Sequence, residues 1–234
     1  MYRDRAEAGQ RLLQRLRERV SPLSGPDLVI LGLAPGGVLV AREIAQALGA
    51  PLDVTVAVRL PSPGNHVSIG GVAAGGTYRL DDRTVRMLGV SEEYIAEAVR
   101  LASENAERQQ ALFRAGRAAV SLAGRRVIVV DDGAQPRFRS RAALARAREL
   151  GARQVIFAVP VASSDALAAS EADADLVVSD YVPERHCGIG AYYGDSDIPR
   201  AETLRSALAR PLRAAPLVPS LGRKGHDAGP AKVG

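Results

Sequence analysis

What constrains this chain most is a recurring alternation: a short aliphatic run, a turn built from glycine or acid, then a stretch with helical spacing. Leu28-Val-Ile-Leu-Gly-Leu33 leads into Ala34-Pro-Gly-Gly37, and residues 38–48 carry apolar positions at helical intervals before Gly49. A glycine there suits the left-handed turn that closes a helix. Residues 52–58 return to a strand pattern, so 28–58 reads as one strand-helix-strand unit. The order resumes with Val127-Ile-Val-Val130, a helix over 140–150 closed by Gly151, a strand over 155–159, a helix over 164–171 and a strand over 176–178. Apolar strands joined through helices make a parallel sheet covered on both faces. The expected class is α/β.

Two stretches break the alternation. Residues 61–80 hold prolines and glycines around the short runs 67–72 and 77–80, which reads as a hairpin or flap rather than another layer of sheet. Ser91 before Glu92 and Glu93 has the form of a helix N-cap with acids in the first turn. The helix it starts is expected to run to about residue 117 with Ile95, Ala98, Leu101 and Ala102 inward. At the other end, residues 4–19 place Leu12, Leu13 and Leu16 on one face of an amphipathic helix. A loop over 181–197 leads to a last helix near 198–210. From Pro211 the chain is rich in proline, glycine and basic residues without periodicity. The expected organisation is one domain over 1–210, with flap or hood elements near 61–80 and 181–197, and a disordered basic tail over 211–234.

Aromatic residues make up 4% of the chain and Trp is absent, so the core must be aliphatic. Cys187 is the only cysteine, which excludes an intrachain disulfide and a cysteine-rich metal site and points to a reducing compartment. No apolar run reaches the roughly 18 residues of a membrane span. The first residues lack the apolar segment of a secretory signal, so the expected location is the cytoplasm. Net charge is +5, almost wholly from arginine, with lysine only at Lys224 and Lys232. A basic chain can serve nucleic acid or phosphorylated small molecules. Without a stripe of aromatic and basic residues, the small molecule is favoured and nucleic acid is not.

In an open parallel sheet, ligands bind beyond the carboxyl ends of the strands. That rule nominates Ala34–Gly37, the Arg59-Leu60 pair and the segment 131–140. Gly36 and Gly37 let backbone N–H groups approach an anion at a helix start, although any tight turn has the same use for them. They fit neither a P-loop nor the dinucleotide fingerprint. Asp131-Asp132-Gly133 puts two carboxylates at a strand end, where they can accept hydrogen bonds from sugar hydroxyls or hold Mg²⁺. The plainer reading is turn and cap chemistry. Arg137, Arg139 and Arg141 alternate ahead of a helix and can clamp a phosphate, or lie solvated on a surface loop. His186, Cys187, Tyr192 and Tyr193 read as structural, because no third group completes a nucleophile. His66 lies in the flap.

Taken in order, these segments resemble the type I phosphoribosyltransferases, and especially bacterial stand-alone domains. The resemblance runs from Tyr2 to about Arg210 through Tyr-Arg-Asp-Arg-Ala-Glu-Ala-Gly (2–9), 31–38, Leu52-Asp-Val, Pro-Gly-Asn (63–65), Val130-Asp-Asp-Gly133, 158–162 and 190–195. It implies that Asp131 and Asp132 are the catalytic acid pair holding the ribose hydroxyls of phosphoribosyl pyrophosphate. It assigns pyrophosphate to Pro35, Gly36 and Gly37 with Arg59 nearby, and the 5′-phosphate to the loop from Gly133 through Arg137 and Arg139 to Ser140. Mg²⁺ would come with the substrate and touch Asp131 and Asp132, and a homodimer is expected.

Three departures fall on ligand positions. The Thr-Gly-Thr/Ser cradle of the family is replaced by Gln135-Pro136-Arg137-Phe138-Arg139, which removes an N–H donor and the glycine that permits close approach. Pro35 stands where an arginine is usual, and Leu60 where a lysine is typical. Two functions are therefore expected as rivals. One is transfer of a phosphoribosyl group to an acceptor with release of pyrophosphate. The other is a degenerate binding or regulatory module for a nucleotide or phosphosugar.

Overall fold

The computed structural model describes residues 1–134, 138–185 and 187–209. Its elements run α1 (Arg5–Arg19), β1 (Leu28–Leu33), α2 (Gly36–Leu48), β2 (Leu52–Thr55), β3 (Ala57–Pro61), β4 (Ser68–Ala73), β5 (Tyr78–Leu80), α3 (Asp82–Leu88), α4 (Glu92–Arg114), β6 (Arg126–Val130), α5 (Arg139–Glu149), β7 (Gln154–Val161), α6 (Ser164–Ser170), β8 (Leu176–Tyr181) and α7 (Ala201–Ala209). Five strands form a parallel sheet in the order β2-β1-β6-β7-β8. The chain moves from β1 outward to β2, then returns to place β6 on the other side of β1. The strand order therefore reverses between β1 and β6, the position at which such sheets open a crevice for ligands. These two strands pair from Leu28↔Arg126 to Gly32↔Val130, so their carboxyl ends finish nearly level.

Every residue of β1 and β6 is buried, because the sheet is covered on both faces. On one face Ile30, Ile128 and Ile156 lie side by side in register and pack against Leu12 and Leu16 of α1, Ile44 of α2 and Leu204 of α7. On the other, Val29, Val127, Val129 and Phe157 meet the alanine-rich face of α5 and Ala166 of α6. As expected from composition, the core is largely aliphatic, and Phe157 is its largest fully buried side chain among the described residues. Arg11 and Arg15 of α1 pair with the buried carboxylate of Asp180 on β8, which seats the first helix across the sheet.

The apolar run 52–58 is not one strand. At Val56 the chain changes sheets: its N–H donates to Gln110 Oε1 at 3.0 Å and its carbonyl accepts from the Ala74 N–H at 2.9 Å. β3 then opens a separate antiparallel sheet, the flap β3-β4-β5, which begins at Ala57 where the sequence pattern predicts a hairpin only from 61. Periodicity could not show the break, since both halves are apolar. The flap has its own small core, in which Leu60, Ile69 and Val72 pack against Tyr94, Ile95, Ala98 and Ala102 of α4. Ser91 caps α4 as expected, accepting the Tyr94 N–H at 3.2 Å. Leu101 is a correction: it is half exposed, because the inward line of α4 runs through Ser103 and Ala106. α3 was not among the expected elements, although Asp81 caps it and Gly89 closes it in the left-handed conformation.

The free side of β2 is occupied by side chains. Asp53 is 3% exposed and accepts both Nε (3.0 Å) and Nη2 (2.9 Å) of Arg114, together with the N–H groups of Val54 and Val120. Arg114 also reaches the Val54 carbonyl at 3.3 Å. The tail 211–234 lies outside the described residues.

Candidate functional site

Asp131 and Asp132 follow β6 directly, at the reversal of strand order. Asp131 is 8% exposed, and its Oδ1 accepts the Asp132 N–H at 2.9 Å. Burial, followed by the neighbouring Asp132 charge, pushes the Asp131 carboxyl up to about 8, with the Arg139 charge opposing. A carboxyl in that state is a hydrogen-bond donor at neutral pH. Asp132 is held differently. Its Oδ2 accepts Nε of Arg5 at 2.9 Å, and both side chains are nearly buried. The Tyr193 hydroxyl donates to the Asp132 carbonyl. Arg5 also lies over the Tyr193 ring, 5.2 Å from its centre, and donates Nη1 to the Asp197 carbonyl at 2.9 Å. Burial and the Asp132 charge raise the Tyr193 phenol far above its ordinary range, so it stays a donor.

The glycines do more than shape a turn. α2 begins at Gly36 rather than at Val38, so Gly36 and Gly37 form its first turn, and Pro35 is the cap residue, with no side-chain cap bond. A Cβ on Gly36 would land inside the Asp132 carboxylate, and one on Gly37 would strike the Val130 carbonyl and come within 2.8 Å of the Asp131 Cα. The helix start thus lies directly against the acid pair. Its first N–H groups point the positive end of the helix dipole toward the same space.

On the other side of the pair, α5 also starts without a side-chain cap, at Phe138. Ser140 in its first turn is 5% exposed, and its hydroxyl has no partner among the described residues. Gly133 packs under the Ile189 side chain, part of the segment 188–193 that roofs the site. Arg139 donates Nε to the Ala57 carbonyl and Nη2 to the Ala34 carbonyl, each at 2.8 Å. One side chain therefore ties the start of α5 to the loop after β1 and to the first flap strand. Arg141 turns away to Asp173, which also holds Arg79 of β5, each at 2.7 Å. Arg139 and Arg141 thus direct their guanidinium groups to protein partners, and Arg137, with Gln135 and Pro136, lies outside the described residues. Arg59 is the register partner of Gly71, and a Cβ on Gly71 would come within 2.6 Å of the Phe138 carbonyl. Opposite residues in an antiparallel pair share a face, so Arg59 stands on the flap face that lies over the start of α5. Its guanidinium is bonded to the Asn65 side chain.

The structure therefore brings Gly36 and Gly37 against Asp131 and Asp132, with Pro35 and Gly133 adjoining them in the chain and Arg139 tied to the same loop through the Ala34 carbonyl, while Ser140 lies in the first turn of α5. No group of three metal-ligating side chains occurs among the described residues. Two carboxylates, one of them engaged by arginine, suit Mg²⁺ only when phosphate oxygens and waters complete its shell. Cys187 is exposed and bonded through its N–H to the Tyr192 hydroxyl, His66 is exposed in the flap, and His186 lies outside the described residues. Sequence reasoning passed over Arg5 and read Tyr193 as structural; the fold brings both against Asp132. An arginine at the start of an amphipathic helix has the same pattern whether it meets water or a carboxylate 127 positions away.

No helix among the described residues is long and apolar enough to cross a membrane. The family model for the phosphoribosyl transferase domain matches residues 2–191. In each of two strains of Mycobacterium tuberculosis, a protein carrying the provisional name phosphoribosyl transferase is 36% identical over 194 residues. The match covers 82% of this chain and 43% of the relative, so the chain spans less than half the length of those proteins. The crystal structure of TT1426 from Thermus thermophilus superposes with a TM-score of 0.74 at 34% identity, covering 88% of this chain and 97% of that one. The arrangement is the type I phosphoribosyltransferase fold, and the chain belongs to the phosphoribosyl transferase domain family.

Proposed function

We propose that this domain binds phosphoribosyl pyrophosphate, or a closely related sugar phosphate, together with Mg²⁺, and transfers the phosphoribosyl group to an acceptor. One observation carries the reading: a carboxyl pair lies between two uncapped helix starts, α2 and α5, at the point where the strand order reverses. A ribose carrying an anion at each end needs that arrangement, hydroxyl partners in the middle and an N–H-rich pole on either side. Asp131 and Asp132 would hold the diol, the Pro35–Gly37 start of α2 would receive the pyrophosphate, and Ser140 with the first N–H groups of α5 would receive the 5′-phosphate. Arg59 would meet the substrate from the flap. Asp131 and Asp132, with the substrate's own oxygens, would hold Mg²⁺, whose charge would stabilise the departing pyrophosphate. The bond from the anomeric carbon to the pyrophosphate oxygen breaks, a bond to the acceptor forms, and the acceptor gives up its proton. The protein's part is position and electrostatics.

Calorimetric titration with phosphoribosyl pyrophosphate, with and without Mg²⁺, tests this. Mg²⁺-dependent binding at micromolar strength is the expected outcome. No heat at millimolar ligand, at two temperatures, overturns it.

The rival reading, a binding or regulatory module without turnover, draws on the Arg139 geometry. Two of its N–H groups already serve backbone carbonyls, so it is a poor replacement for the phosphate cradle missing from the sequence at 135–139. Binding without release of pyrophosphate over a panel of purine and pyrimidine bases would favour it.

A further inference from the structure

The acid pair carries two carboxyls in a nearly dry place, and among the described residues two arginines stand near it. Only one of them touches its acid. Arg139 influences Asp131 through its charge while its N–H groups bond to Ala34 and Ala57. Arg5 reaches the Asp132 carboxylate itself, and everything around Arg5 fixes that contact. The Asp197 carbonyl holds Nη1, the Tyr193 ring backs the guanidinium plane, and the Tyr193 hydroxyl pins the Asp132 backbone. Gly36 supplies the last condition, because any side chain there would displace the carboxylate and come within 2.8 Å of Arg5 Nε. Three separate parts of the chain, the start of α1, the start of α2 and the segment 193–197, thus converge to hold one carboxylate in one rotamer.

We infer that Arg5 is a positioning residue of the sugar site: it holds the Asp132 carboxylate across Gly36, and so makes the site select a pentose phosphate with its 2-hydroxyl over the 2-deoxy form. The inference rests on the sugar-phosphate reading above. A hydroxyl acceptor discriminates only while it stays where the hydroxyl arrives. Without Arg5, Asp132 has no cationic partner in contact among the described residues, and the space beside Gly36 no longer confines it. The carboxylate then turns toward water and the preference falls. The glycine at 36 acquires a second purpose here, as the gap through which arginine and aspartate meet.

Two measurements test this, the first without any ligand. In nitrogen-15 spectra of the arginine side chains, the Arg5 Nε–H should exchange slowly with water in the wild type and lose that protection in Asp132→Asn. An Arg5 Nε–H that exchanges like a solvated arginine overturns the inference at once. The second is titration of the wild type, Arg5→Gln and Arg5→Lys with ribose 5-phosphate and with 2-deoxyribose 5-phosphate. The wild type should prefer the ribose form, and Arg5→Gln should lose on the order of tenfold of that preference, the scale of one broken polar contact. Arg5→Lys, which keeps the charge, should recover part of it, and it carries the same test if Arg5→Gln does not fold. Lowered thermal stability with an unchanged sugar preference would make Arg5 structural only and overturn the inference. If the wild type binds neither sugar while Arg5 stays protected, the sugar-phosphate reading fails and takes the inference with it.

Discussion

The two sheets of this protein are held by different forces. The parallel sheet is buried on both faces, and its strands meet helices mainly through isoleucine, valine, leucine, alanine and Phe157, with ion pairs at its borders, at Asp180 and Asp53. The flap buries its larger apolar side chains against α4 on one side, and on the other only Ala57 and Ala73 join the core of the parallel sheet. On the other it lies on the start of α5 through Gly71, through Arg139, and through the Arg79–Asp173–Arg141 cluster. Burying apolar area is non-directional and tolerant of exchange, whereas a glycine contact or a shared carboxylate depends on single atoms. One sheet is thus built to persist under substitution. The other is built so that a few residues decide whether it stays seated over the ligand crevice.

The sharpest break of that contrast is Gly71→Ala. Its Cβ would press on the Phe138–Arg139 backbone at 2.6–2.7 Å, where no flexible side chain can yield. A loss of about 3 kcal/mol is expected. Hydrogen exchange should show flap amides opening well before those of β1 and β6. A uniform loss of protection in both sheets would mean that the two are one cooperative unit.

The parallel sheet has its own sensitive spot in Asp131, where the sign is fixed by burial. The folded protein keeps a proton that the unfolded chain releases above its ordinary value of 3.8, so the contribution of Asp131 to stability is fully present below that value and is lost as pH rises through about 8. Asp131→Asn should flatten that decline, leaving the variant more stable than the wild type on the alkaline side. Urea melts at pH values on either side of the window read this directly, and parallel slopes for the two proteins would refute it.

Next in size is Asp173→Ala, which strips the shared partner from Arg79 and Arg141. With both arginines partly exposed, the expected cost is about 2 kcal/mol, reduced as salt is raised. Arg139→Ala should cost about 1–2 kcal/mol for two hydrogen bonds to carbonyls, with increased exchange at Ala57 and in the loop after β1. Leu101→Ser should change stability by less than roughly 0.5 kcal/mol, since that side chain is half exposed.

The same division explains what could be read from the sequence. The parallel sheet was legible because its strands are continuous apolar runs and its helices end at Gly49 and near Gly151. The flap was legible as glycine-rich hairpins, but not where it begins, because Val56 changes sheets through hydrogen bonds to Gln110 and Ala74 that leave no mark on periodicity. At the site, Asp131 and Asp132 could be found from their place after an apolar run. Arg5 could not, because its meaning comes from residue 132, which only the closed sheet brings near. Arg139 was legible as a cation beside the site but not as a tie between backbones, since carbonyl partners have no sequence signature.

The side chains along β2 have a further consequence. A sheet edge offers a row of N–H and carbonyl groups that another chain can adopt as its own continuation. Here Asp53, Arg114 and Gln110 occupy groups of that row at Val54 and Val56. A second molecule cannot extend the sheet at β2 without first displacing a buried ion pair. The protein can therefore be crowded with copies of itself and still keep that border closed to fibre growth.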